Sequence, residues 1–130
     1  MSDHAHIRTP LARVRGRGAA RSGTFAFWLQ RLTALAGIVL TALAIFIVLM
    51  LLGRNQAAAA QILGSAPVAI IMLLFIICSV VHMRIGMQVI IEDYVHDDSA
   101  KLALLACNTC FCWAVGLVAV YAIMKLSFGM

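Results

Sequence analysis

Residues 67–91 read PVAIIMLLFIICSVVHMRIGMQVII, and this stretch decides the fold. Apart from Ser79, His82, Arg84 and Gln88, its residues are apolar or small. The hydrocarbon core of a bilayer asks for about 20 consecutive, mostly apolar residues per helix, so this segment is long enough to span. Two further stretches, 25–52 and 102–126, have the same character. Period-two alternation is missing from all of them, which argues against a transmembrane barrel. In lipid every backbone N–H and C=O needs an internal partner, and helices supply these within one segment. The expected fold is therefore an all-α membrane protein with three transmembrane helices. Composition agrees: 64% of the 130 residues are apolar and 12% charged, more apolar surface than a soluble domain of this size can hide.

The organisation follows from the gaps between spans. Residues 1–22 carry Pro, Gly and many charges without apolar periodicity, and are expected to form a separate arm; residues 23–130 form the membrane domain. Thr24 is a candidate N-cap for the first helix, Pro67 suits the first turn of the second, and Asp97–Ser99 offers caps for the third. The segments GRNQAAAAQILGSA (53–66) and EDYVHDDSAK (92–101) read as connections. Neither has room for a catalytic domain, so any chemistry sits among the helices. Small residues that permit close helix approach are Ala34, Gly37, Thr41, Gly86, Ala114 and Gly116.

Arg8, Arg13, Arg15, Arg17, Arg21 and Arg31 precede or open the first span, whereas Arg54 is the single basic residue of the next connection. The positive-inside rule then expects a cytoplasmic N-terminus, a cytoplasmic 92–101 connection and an external C-terminus. The first span is too long for a signal-peptide core and no small-residue cleavage pattern interrupts it, so it is expected to be retained. The membrane is expected to be the bacterial inner membrane; an Arg-rich, acid-free start such as RTPLARVRGRGAARSG (8–23) also suits a mitochondrial transit peptide, and hence the mitochondrial inner membrane. Net charge of +5 reports topology and attraction to anionic lipid, and no basic and aromatic residues interleave as a nucleic-acid face would require. Cys78, Cys107, Cys110 and Cys112 lie in apolar segments where thiolates are disfavoured. Free thiols used for packing are expected, because no second CxxC or nearby His completes a metal site.

Ionisable residues inside a span cost at least ~2.5 kcal/mol each, so they mark function by default. His82 and Arg84 are the deep ones, while Arg31 and Lys125 lie near helix ends and can snorkel. His82 precedes Glu92 by ten residues, about 15 Å of helix, which puts it near mid-bilayer. A neutral imidazole at that depth suits a haem iron ligand, with Gly86 one turn on leaving an open surface for a flat macrocycle. A hydrogen bond to a neighbouring helix explains it equally well. No second histidine lies at depth, so a six-coordinate haem needs its other ligand from a partner chain. Asp93 follows His82 by eleven residues and returns to the same helix face. With Tyr94 beside it, the pair reads either as a quinone site, phenol donating to a carbonyl and carboxylate handling protons, or as an interfacial anchor next to a solvated acid. Arg84 points about 200° away from His82. Its role stays open, as does that of His96.

The string HMRIGMQVIIEDYVH (82–96) resembles the second-helix signature of the small membrane anchor subunit of succinate dehydrogenase: His, Gly four residues on, then Asp-Tyr at eleven and twelve. SGTFAFWLQRLTALAG (22–37) is similar to the family's entry to its first helix, and the likeness runs from TPLARVRG (9–16) to KLSFG (125–129), nearest to proteobacterial members. The resemblance implies half of a two-chain, haem-binding helical bundle in a four-subunit complex. There a flavoprotein subunit oxidises succinate, an iron–sulfur subunit relays electrons, and two anchor chains bind haem b and reduce ubiquinone. It implies His82 as an axial haem ligand, Arg31 at a haem propionate, Tyr94 as donor to ubiquinone and Asp93 as its acidic neighbour. It also implies that this chain takes part in the enzyme without flavin or iron–sulfur chemistry of its own. Two alternatives remain: the anchor of a quinol-oxidising fumarate reductase, built from similar parts, and a non-enzymatic transporter subunit or assembly factor.

Overall fold

A computed structural model describes residues 22–129. They form four helices: α1 Ser22–Leu51, α2 Gln56–Gly64, α3 Ala66–Tyr94 and α4 Asp98–Phe128. α1, α3 and α4 are each long and apolar enough to cross a membrane, and no strand occurs among the described residues. α3 has 29 residues, about 43 Å at 1.5 Å each, so its ends pass beyond a hydrocarbon core of about 30 Å.

α3 is the middle of a row. It packs against α1 on one side and α4 on the other, while the two outer helices hardly meet. Few of the described side chains are consequently buried: Ala44 and Ile47 of α1, Ala69, Ile85 and Ile91 of α3, and Cys112 and Ile123 of α4, together with one polar residue among those described, Thr33. The large apolar residues left exposed, such as Leu35, Ile38, Leu74, Leu117 and Val118, face what in water would be forbidden and in lipid is the ordinary solvent.

The boundaries follow from local chemistry. α1 begins by Ser22, so Thr24 lies inside its first turn and is not the cap. α2 occupies what reads from sequence as a connection. It is too short to span, but its alanine run has the highest helix propensity available, and the Asn55 carboxamide accepts from the Ala58 N–H at 2.9 Å. Ser65 ends α2 by donating its hydroxyl to the Ile62 carbonyl at 2.7 Å, and Pro67 sits in the first turn of α3 as expected. α3 continues through Glu92, Asp93 and Tyr94, and α4 starts at Asp98, which shortens the connection to Val95–Asp97. Asp97 accounts for the early start: its carboxylate takes the Ala100 N–H at 2.7 Å and the Ser99 hydroxyl at 2.6 Å. These bonds, the Ser99 hydroxyl first, hold its carboxyl below the usual carboxylate range. At the far end Gly129 adopts φ 68°, the left-handed C-cap, and returns its N–H to the Lys125 carbonyl.

Candidate functional site

His82 stands near the middle of α3 and faces α1. Its Nδ1 lies 3.2 Å from the Thr33 hydroxyl, and its Nε2 lies 3.4 Å from the Gln30 amide nitrogen. Both partners come from one face of α1, three residues apart. Neither carries a charge that would mark it in the sequence, where they are only a polar pair at helical spacing in an apolar run. Gln30 also fills the space over Gly86, where an added Cβ would meet its amide at 3.1 Å. The open surface expected beside the imidazole is therefore covered by an amide, and only by an amide: the Gln30 carbonyl oxygen is buried with no partner among the described residues. A long contact at one end and none at the other leave this side chain weakly held. Turning it aside uncovers Nε2.

Beside His82 an open groove of about 600 Å³ runs between α1 and α3, lined by Thr33, Ala34, Gly37, Thr41, Ser79 and His82 among others. Ala34, Gly37 and Thr41 are thus not helix-packing residues within this chain. They leave room, and nothing lies within 4 Å of where a Gly37 Cβ would be. A small-residue wall, a deep imidazole and a displaceable amide suit a flat macrocycle whose iron takes one nitrogen ligand here. No group of three or more His, Cys, Asp or Glu that could hold a metal ion exists among the described residues.

Arg84 faces the opposite way, as the angle along the helix requires. It lines an apolar cavity of about 150 Å³ between α3 and α4 with Val80, Cys112 and Gly116, its carbonyl accepts from the Asn108 carboxamide at 3.0 Å, and its Nε is buried without a partner among the described residues. Arg31, the tenth residue of α1, is exposed, its guanidinium 4.1 Å above the Phe27 ring and not in the groove beside His82. Asp93 and Tyr94 end α3 on the surface, Tyr94 with 78% of its area exposed. Successive residues on a helix diverge by about 100°, so the two do not form a pocket by themselves. His96 Nδ1 lies 3.1 Å from the Tyr94 carbonyl. All four cysteines are free thiols; Cys78 donates to the Thr33 carbonyl at 3.1 Å and Cys112 to the Asn108 side chain at 3.4 Å.

The family described as succinate dehydrogenase/fumarate reductase transmembrane subunit matches residues 6–116. A succinate dehydrogenase hydrophobic membrane anchor subunit of Paracoccus denitrificans is 33% identical over 121 residues, 93% of each chain. One of the same name from Rickettsia bellii (strain RML369-C) is 30% identical over 102 residues, 76% of this chain and 79% of that protein. No solved structure is significantly similar.

Proposed function

The chain belongs to the succinate dehydrogenase/fumarate reductase transmembrane subunit family, and from that premise we propose that it anchors a succinate dehydrogenase, supplies one axial ligand to haem b and helps to form the site of ubiquinone reduction. The observation that carries this reading is His82: a mid-span imidazole beside a small-residue groove, with only a weakly held amide over its Nε2. When bound, the haem supplies a one-electron redox centre close to the quinone. A second anchor chain would supply the other iron ligand, and the flavoprotein and iron–sulfur subunits held at the membrane by the two anchors would deliver the electrons.

This chain's own residues divide the work by depth. His82 offers an imidazole, whose neutral form carries no charge into lipid and presents a nitrogen lone pair to a metal. Arg31, two residues before Thr33 of the groove, is long enough to turn from the Phe27 ring toward a propionate carboxylate, where bidentate pairing offsets both charges. Tyr94 and Asp93 stand about 16 Å from His82 along α3. There the phenol donates to a quinone carbonyl as negative charge develops on it, and the carboxylate accepts and passes protons. Because Tyr94 and Asp93 diverge around the helix, partner subunits complete that site.

His82→Ala in the assembled complex tests the reading. The expected result is loss or marked alteration of the low-spin b-type visible and paramagnetic-resonance signals, with succinate oxidation by an artificial dye retained. An unchanged signature would remove His82 from the haem site.

A further inference from the structure

We propose that Thr33 is the positioning residue for His82: its hydroxyl accepts the Nδ1 proton, fixes the tautomer that leaves Nε2 free to bind a metal, and sets the rotation of the ring. The use of that nitrogen for haem iron rests on the function proposed above. The hydrogen bond does not.

A proton count carries the argument. The Thr33 hydroxyl has one proton and two acceptor lone pairs. Its oxygen lies 2.8 Å from the Leu29 carbonyl and 3.1 Å from the Gln30 carbonyl, the back-bonding habit of threonine in an apolar helix. Two oxygens at 2.8 Å with no hydrogen between them repel, so the proton points to Leu29. What remains on Thr33 toward His82 is a lone pair, and Nδ1 at 3.2 Å must then carry the hydrogen. Nε2 is left unprotonated. The Gln30 amide nitrogen, which only donates, faces Nε2 at 3.4 Å in the same sense. A hydrogen on Nε2 would set donor against donor.

Burial and a second clasp make Thr33 a fixed point. It is the one buried polar residue among those described, 9% exposed. Its carbonyl also receives the Cys78 thiol at 3.1 Å, and Cys78 lies one helical turn before His82 on α3. Two residues of α3, a turn apart, thus grip the same residue of α1, and a β-branched side chain has little rotamer freedom with which to yield. A metal-bound histidine ordinarily donates its other ring N–H to an acceptor, which orients the ring and raises its basicity. Thr33 is the acceptor already in place.

Thr33→Val keeps the shape and removes the acceptor. In the complete complex it should lower retention of haem roughly 10-fold or more, raise the haem midpoint potential because the imidazole becomes a weaker donor, and broaden the low-spin resonance as the ring gains freedom. Thr33→Ser should restore all three. If Thr33→Val does not assemble, Thr33→Ala with the same readouts takes its place. Haem content, potential and resonance all unchanged in the variant would overturn the proposal while leaving the haem reading intact. Should the parent complex hold no haem, that reading fails by itself, and ¹⁵N resonances of the His82 ring then decide the tautomer: a protonated Nδ1 supports the proposal and a protonated Nε2 overturns it.

Discussion

At the scale of single residues, the two ends of the proposed electron path have opposite surroundings. His82 is held by α1 on both ring nitrogens, whereas Tyr94 is 78% exposed at the end of α3. Removing the Tyr94 hydroxyl should therefore leave the fold and the haem alone. Tyr94→Phe keeps the ring and its interfacial anchoring, and we expect ubiquinone reduction to fall by roughly five- to thirty-fold, about 1–2 kcal/mol where water partly replaces the donor. Haem content and dye-linked succinate oxidation should persist; parental quinone kinetics in the Phe variant would reduce Tyr94 to an anchor. Asp97 gives a pH-dependent expectation. Its folded carboxyl titrates below the usual range, so the cap contributes fully above the unfolded carboxylate value and is lost as pH falls through the lowered folded one. Asp97→Ala should speed hydrogen exchange at Ala100 near neutral pH, with the difference from the parent vanishing in strong acid. His82, Arg84, Asp93 and Tyr94 were legible in the sequence because a charge or imidazole in or beside an apolar run stands out. Gln30 and Thr33 were not, because contacts across 52 and 49 residues depend on how α1 is rotated against α3, which composition does not encode.

At the scale of helices, glycines distinguish true contacts from open space. A Cβ on Gly64 would lie 2.6 Å from the Leu126 carbonyl oxygen and 3.2 Å from its carbon, and backbone does not give way as a side chain does. Gly64→Ala should push α2 off the end of α4 and destabilise the membrane domain by about 1–3 kcal/mol, read as a lower thermal midpoint of the purified complex. Gly116→Ala meets only the Val80 methyls at 3.4 Å, ordinary contact, and should change that midpoint little. Gly37→Ala meets nothing within 4 Å; it should spare the helix pair yet weaken haem retention if the groove seats the macrocycle. An unchanged midpoint for Gly64→Ala would show that α2 is not held by α4. The three spans were legible from hydropathy and length, since nothing else satisfies backbone groups in lipid. α2 was not, because a nine-residue helix owes its place to packing on α4 and a cap at Asn55, and neither has a hydropathy signature. The longer ends of α3 and α4 share that cause: helices outrun the apolar run that reveals them when capping groups such as Asp97 are at hand.

At the scale of the whole molecule, a row of three spans with apolar residues exposed on its outer faces is an unfinished bundle, and its composition cannot say which faces meet lipid and which meet another chain. The arginines before α1 predict a cytoplasmic N-terminus, with Asp93 and Tyr94 on the same side. A reporter fused after Met130 should be active only outside the cytoplasm, and the opposite result would invert the placement of the quinone end. The claim that joins all these parts is that succinate-derived electrons reach a haem held by this chain. The most direct measurement is to capture the complex through a tag on this chain, add succinate under anaerobic conditions, and record the visible spectrum of the parent and of His82→Ala. A b-type α-band should develop with succinate in the parent and be absent or shifted in the variant, with flavoprotein and iron–sulfur subunits present in both. A captured succinate-oxidising complex without haem, or one whose band is identical in the variant, would contradict it.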